Sequence, residues 1–138
     1  MVRVNMGLRG SGKTKHLVET ITAASQKEMG DVIVIERGPR LDTQIHARTA
    51  RLIDTKTYQV RSYQVLRGFI TGLYAGNFDI THIFIDSLFK IVECDDMGEC
   101  ERFVAWLDGF GKDNSVEFTV TISADAAGAG EVLKKYLI

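Results

Sequence analysis

Residues 7 to 14 read GLRGSGKT and fit the pattern G-x-x-x-x-G-K-[ST] at every fixed position: Gly7, Gly12, Lys13 and Thr14. The chemistry open to these residues in this order is the capture of a polyphosphate. Gly7, Gly10 and Gly12 let the backbone point successive N–H groups inward and keep side chains away from the anion. Lys13 supplies a mobile positive charge for the β- and γ-phosphates, and Thr14 offers a hydroxyl to Mg²⁺. Leu8, Arg9, Ser11 and Lys15 complete the loop and the turn after it, and they belong to the same candidate set. A second candidate is Asp86, which ends the apolar run HIFID (82–86). A carboxylate buried without a partner is costly, so its place points either to a role at a site or to a cap on the next helix.

These residues need a strand to deliver them and a helix to receive them. VRVNM (2–6) reads as a short strand that runs straight into the glycines. Lys13 to Met29 carries Leu17, Val18, Ile21 and Ala24 on one helical face. DVIVIE (31–36) is a nearly continuous apolar run, as in a strand buried on both faces. Gly38-Pro39 interrupts regular structure beyond Glu36. Residues 41–55 are ambiguous; a short strand is expected at 51–54, paired with 43–46 as an irregular hairpin. Ser62 reads as an N-cap for a helix that ends near Gly76-Asn77. HIFID is a second buried strand, 87–94 a short helix, and Phe103 to Phe110 a further helix ended by Gly111. VEFTVTIS (116–123) is a strand, 131–136 a last helix, and the terminal Leu-Ile a small edge strand. Strands alternating with helices predict a single α/β domain over residues 1–138. Its sheet should be mostly parallel, with four to six strands and helices on both faces.

With its strand before and its helix after, the glycine loop resembles that of the P-loop NTPase superfamily. The likeness is closest over residues 2–29 and 82–86. The chain is also similar to short bacterial P-loop proteins described only as ATP-binding. The resemblance implies a three-layer P-loop-like sandwich that binds ATP with Mg²⁺. Gly7 to Lys15 would hold the phosphates, Thr14 and Asp86 the metal, and Lys13 and Asp86 would serve catalysis. Many P-loop ATPases carry a glutamate directly after such an aspartate to orient the attacking water; here Ser87 stands there. Glu36 is the candidate replacement, because some recombinase-like ATPases place that glutamate on the adjacent strand. It reads equally as a solvated strand end. Ser123 reads as a γ-phosphate sensor or as a plain strand-terminal serine. Arg9, Arg37 and Arg40 could stabilise transferred charge, or lie solvated at the surface. GKDN (111–114) fails the guanine-recognition pattern at both outer positions, which favours ATP.

Composition narrows the function classes. Of 138 residues, 45% are hydrophobic and 25% charged, with a net charge of -1, which does not indicate a nucleic-acid-binding protein. No apolar stretch approaches a membrane span and no export signal is visible, so the expectation is a cytoplasmic protein. Cys94 and Cys100 match neither redox nor zinc spacing. Seven Lys or Arg residues fall between Arg37 and Arg67, and five carboxylates between Glu93 and Glu101. The basic segment 37–67 is either a solvated face or a surface for a protein partner or for self-association. Three functions are open to such a site: a slow ATPase or nucleotide-dependent switch, a nucleoside-kinase-like phosphotransferase, or a nucleotide-binding module without turnover.

Overall fold

The computed structural model describes residues 1–27, 30–45 and 50–138, and among these five parallel strands form one sheet. In chain order the elements are β1 (Val2–Met6), α1 (Lys13–Lys27), β2 (Asp31–Glu36), β3 (Arg51–Asp54), α2 (Tyr63–Gly76), β4 (Ile80–Ile85), α3 (Leu88–Val92), α4 (Met97–Asn114), β5 (Glu117–Ile122) and α5 (Glu131–Lys134). Across the sheet the strands run β1-β5-β4-β2-β3.

This order decides which helix covers which face. From β1 the chain crosses to β2 in one direction through α1. It returns in the other direction through α2, and then through α3 and α4. Right-handed crossovers travelling in opposite directions must place their helices on opposite faces. Side-chain alternation along the strands agrees. Val32, Val34 and Phe84 pack with Leu17, Ile21 and Ala24 of α1. Ile33, Ile35, Ile83 and Ile85 pack instead with residues of α2 to α5, such as Leu66, Ile70, Leu88, Phe103 and Leu133. The chain is therefore an α/β protein with helices on both sides of an all-parallel sheet.

Most expected elements lie where the sequence places them. Ser62 is the N-cap of α2, its hydroxyl accepting from Val65 N, and Asn77 closes that helix. The helix expected to reach Met29 is seen as far as Lys27; residues 28–29 lie outside the described residues. Three expectations need correction. Strand β3 pairs in parallel with β2, not with 43–46. Residues 42–44 form a turn, tied by Leu41 O accepting from Gln44 N and Ile45 N, while position 46 lies outside the described residues. That turn brings Leu41 and Ile45 together into the apolar layer under α1. Gly111 does not end α4, which continues to Asn114 and closes on Ser115 in the left-handed region (φ 57). A Cβ at Gly111 would lie 2.5 Å from Val116 O, so the glycine is where the returning chain crosses its own helix. The terminal Leu137 makes a single bridge to Val4 rather than a strand. Among the described residues no helix is long and apolar enough to cross a membrane.

Candidate functional site

The C-terminal ends of parallel strands in an open sheet are where such folds bind ligands, and the candidate residues meet there. Met6 ends β1, and residues 7–12 form the connection to α1, anchored by Gly7 N donating to Ile122 O at 3.2 Å. Gly10 and Gly12 both hold φ of 87°, a conformation any other residue would adopt under strain. The loop therefore folds as a tight ring. Lys13, the first residue of α1, reaches back over it: Nζ donates to Gly7 O at 2.6 Å, Leu8 O at 3.0 Å and Ser11 Oγ at 3.4 Å. The ammonium is thereby centred on the loop, with the N-terminus of a 15-residue helix beside it.

Asp86 comes directly after β4 and is buried (4% exposed). Its amide donates to Ile35 O at 2.9 Å, which fixes the backbone against β2. The carboxylate is used unevenly. Oδ1 accepts from Thr121 Oγ1 at 2.7 Å, while Oδ2, also buried, has no hydrogen-bond partner among the described residues. Thr121 in turn accepts from Ser87 N at 2.7 Å. One hydroxyl thus satisfies the amide next to Asp86 and orients the carboxylate itself. Ser87 lies in the left-handed region (φ 56), where the chain bends sharply from strand into α3.

Glu36 ends β2, beside Asp86, and is more deeply buried still (1% exposed). Its Oε1 accepts from Arg40 N at 3.1 Å and Leu41 N at 3.2 Å, and its Oε2 lies 3.4 Å from Leu41 N. Burial pushes its carboxyl up to about 7, with the charge of Asp86 adding to the rise, against the lowering effect of the Leu41 and Arg40 amides and the Arg40 charge. Asp54 holds the same turn from the β3 side, Oδ1 accepting from Gly38 N at 2.8 Å. The turn presents Arg40 toward β4. Its Nη1 lies 3.5 Å from Ser87 Oγ and 3.9 Å from Asp86 Oδ2.

A cleft of about 810 Å³ opens between these elements, lined by Arg9, Gly10, Gly12, Lys13 and Thr14 of the glycine loop and α1, by Arg40, by Asp86, Ser87, Phe89 and Lys90 after β4, and by Ser123. Four cations and one carboxylate therefore face the same space, a field suited to a polyanion. The sequence-derived set divides accordingly. Lys13, Thr14, Arg9, Asp86 and Ser123 come together. Glu36 does not line the cleft. Leu8 is largely exposed, and Lys15 points to solvent from the first turn of α1. Arg37 is engaged elsewhere, its Nη1 donating to Lys90 O at 3.0 Å and pairing with Glu93 at 3.2 Å. Among the described residues no group of three or more His, Cys, Asp or Glu could hold a metal. Cys100 is buried, and burial pushes its thiol up to about 11.

Sequence reasoning missed Phe89 and Lys90 in the lining of the cleft, and Thr121 behind Asp86. The signal for Thr121 was present in EFTVTI, where after Glu117 two threonines, at 119 and 121, alternate with apolar residues. Thr119 and Thr121 face the α1 side, where Thr119 meets His82 at 2.9 Å and Thr121 meets Asp86. Compared with models of protein families and with curated proteins, the chain gives no match.

Proposed function

We propose that this chain is a P-loop nucleotide-binding protein that holds ATP with Mg²⁺ in the cleft and turns it over slowly on its own. The observation that carries the reading is the buried Oδ2 of Asp86, which has no hydrogen-bond partner among the described residues and shares a cleft with Lys13, Thr14 and the glycine-loop residues Arg9, Gly10 and Gly12. A buried carboxylate oxygen without a donor is costly, and a divalent cation would satisfy it. Magnesium suits the donors present, since it is bound through one or two carboxylates and substrate phosphates and keeps several waters. Thr14 and Asp86 would hold it, and its charge would offset that of the phosphates. The backbone N–H groups of the loop and the Lys13 ammonium would bind the β- and γ-phosphates.

The lining of the cleft favours slow turnover. Asp86 is the one carboxylate among the described lining residues, so no second carboxylate among them faces the space to orient a water. Glu36 would have to leave the amides of Arg40 and Leu41 to act as that base. In its present place it is a positioning residue for the 37–41 turn. A second reading, transfer of the phosphoryl group to a small acceptor, is favoured by the rest of the lining. There Phe89, Lys90 and Arg40 add an aromatic side chain and two cations to the lining of the cleft.

A phosphate-release assay with and without nucleosides, DNA and RNA, with products checked for phosphorylated nucleoside, separates these readings. The expected result is release below about 1 s⁻¹, the low end of ordinary enzymes. A phosphorylated nucleoside would favour the transferase, and faster release by the protein alone would overturn the slow-turnover reading.

A further inference from the structure

Arg40 and a metal ion would compete for the same oxygen. Asp86 has two carboxylate oxygens; Thr121 occupies Oδ1 through its hydroxyl, and Oδ2 is buried with no hydrogen bond from the described residues. Among the described residues the cation nearest to Oδ2 is Arg40 Nη1 at 3.9 Å, beyond hydrogen-bond length but within ion-pair range. The same nitrogen lies 3.5 Å from Ser87 Oγ, so the guanidinium spans the junction between β4 and α3. Its side chain is 44% exposed while that of Asp86 is 6% exposed, so the arginine reaches inward from solvent and can withdraw the same way.

The backbone that carries Arg40 is held independently of this contact. Glu36 accepts from Arg40 N and Leu41 N, and Asp54 accepts from Gly38 N. Displacing the guanidinium therefore moves a side chain on a fixed turn and needs no opening of the loop.

We infer that Arg40 is a displaceable latch on the metal position of Asp86, neutralising Oδ2 until a divalent cation replaces it. The inference rests on reading the cleft as a metal–nucleotide site. It goes beyond that reading by assigning Arg40 a contact that opposes binding of the bare ion. The latch favours arrival of the metal with its phosphates, because a polyanion gives the released guanidinium a new partner and a free cation does not.

Binding of Mn²⁺ alone to the nucleotide-free protein, monitored by electron paramagnetic resonance, tests this without any turnover. Arg40→Ala should tighten Mn²⁺ by about three- to tenfold, a modest gain because a half-exposed guanidinium is partly screened. Arg40→Gln, which keeps most of the stem, should give the same gain. Asp86→Asn should weaken Mn²⁺, and adding Arg40→Ala to it should give no further change. Unchanged or weaker Mn²⁺ binding in both Arg40 variants would overturn the latch, as would an equal gain in the Asp86→Asn background. Calorimetry with Mg-ATP on the unaltered protein separates the two levels. Absence of Mg-ATP binding sinks the reading of the cleft; Mg-ATP binding with no Mn²⁺ response to Arg40 sinks the latch alone.

Discussion

Strands β2 and β4 lie side by side, and each is followed or ended by a buried carboxylate at the same edge of the sheet: Glu36 at 1% exposure and Asp86 at 4%. Their fates differ because of the chain that comes next. After Glu36, the sequence Arg37-Gly38-Pro39-Arg40 turns back, and the amides of Arg40 and Leu41 cap the carboxylate. After Asp86, the chain bends at Ser87 straight into α3, and its first amide goes to Thr121 instead of the carboxylate. One carboxylate is thereby consumed in holding a turn, and the other is left with an oxygen that no described group hydrogen-bonds. Position at a strand end selects candidates for a site, and hydrogen-bond accounting separates them.

Substitutions at the two strand ends should therefore behave differently. Among these, Asp86→Asn is expected to have the largest effect, removing about tenfold or more of the gain in ATP affinity that Mg²⁺ supplies while leaving binding in chelator nearly unchanged. Titrations with and without Mg²⁺ check this, and an undiminished gain would place the metal elsewhere. Thr121→Val comes next. It leaves Ser87 N without its acceptor and Asp86 Oδ1 without its donor, so stability should fall by about 1–3 kcal/mol. The Mg²⁺-dependent gain should drop several-fold. Thr121→Ser should restore that gain, which distinguishes orientation of Asp86 from mere loss of packing.

Glu36→Gln should have the smallest effect on nucleotide, with ATP affinity and phosphate release within a few-fold of the parent. Loss of release with ATP binding intact would instead make Glu36 the base. Its clearest signature is in stability. The carboxyl is raised from 4.5 to about 7 in the folded protein, so between those values the native state holds a proton that the unfolded chain releases. Stability from this group is thus highest below about pH 4.5 and falls as pH rises through 7, by of order 3 kcal/mol at most. Urea midpoints at pH 5 and pH 8 should converge in Glu36→Gln relative to the parent; an unchanged difference would show that other groups set it.

The reach of the sequence obeys the same physical division. The glycine loop, the apolar runs of β2 and β4 and the Ser62 cap were legible because each depends on residues adjacent in the chain. The partner of β3 was not. RLID (51–54) can pair in either direction, and its parallel choice is set by contacts with β2 across a long connection. Gly111 read as a stop because a glycine near a helix end usually is one, whereas here it admits the carbonyl of Val116. Glu36 and Asp86 looked alike because each is an acid at the end of an apolar run. Amides four and five residues on, and a threonine on another strand, make them different.

The central claim is that the cleft beside the glycine loop binds ATP as its Mg²⁺ complex through Lys13. Isothermal calorimetry of ATP with Mg²⁺ against the parent protein and Lys13→Ala tests it most directly. A saturable one-to-one isotherm for the parent, weakened about a hundredfold or more by loss of the charge-assisted contacts of Lys13, is the expected result. Near-equal affinity in the two proteins, or no binding by the parent, would contradict it.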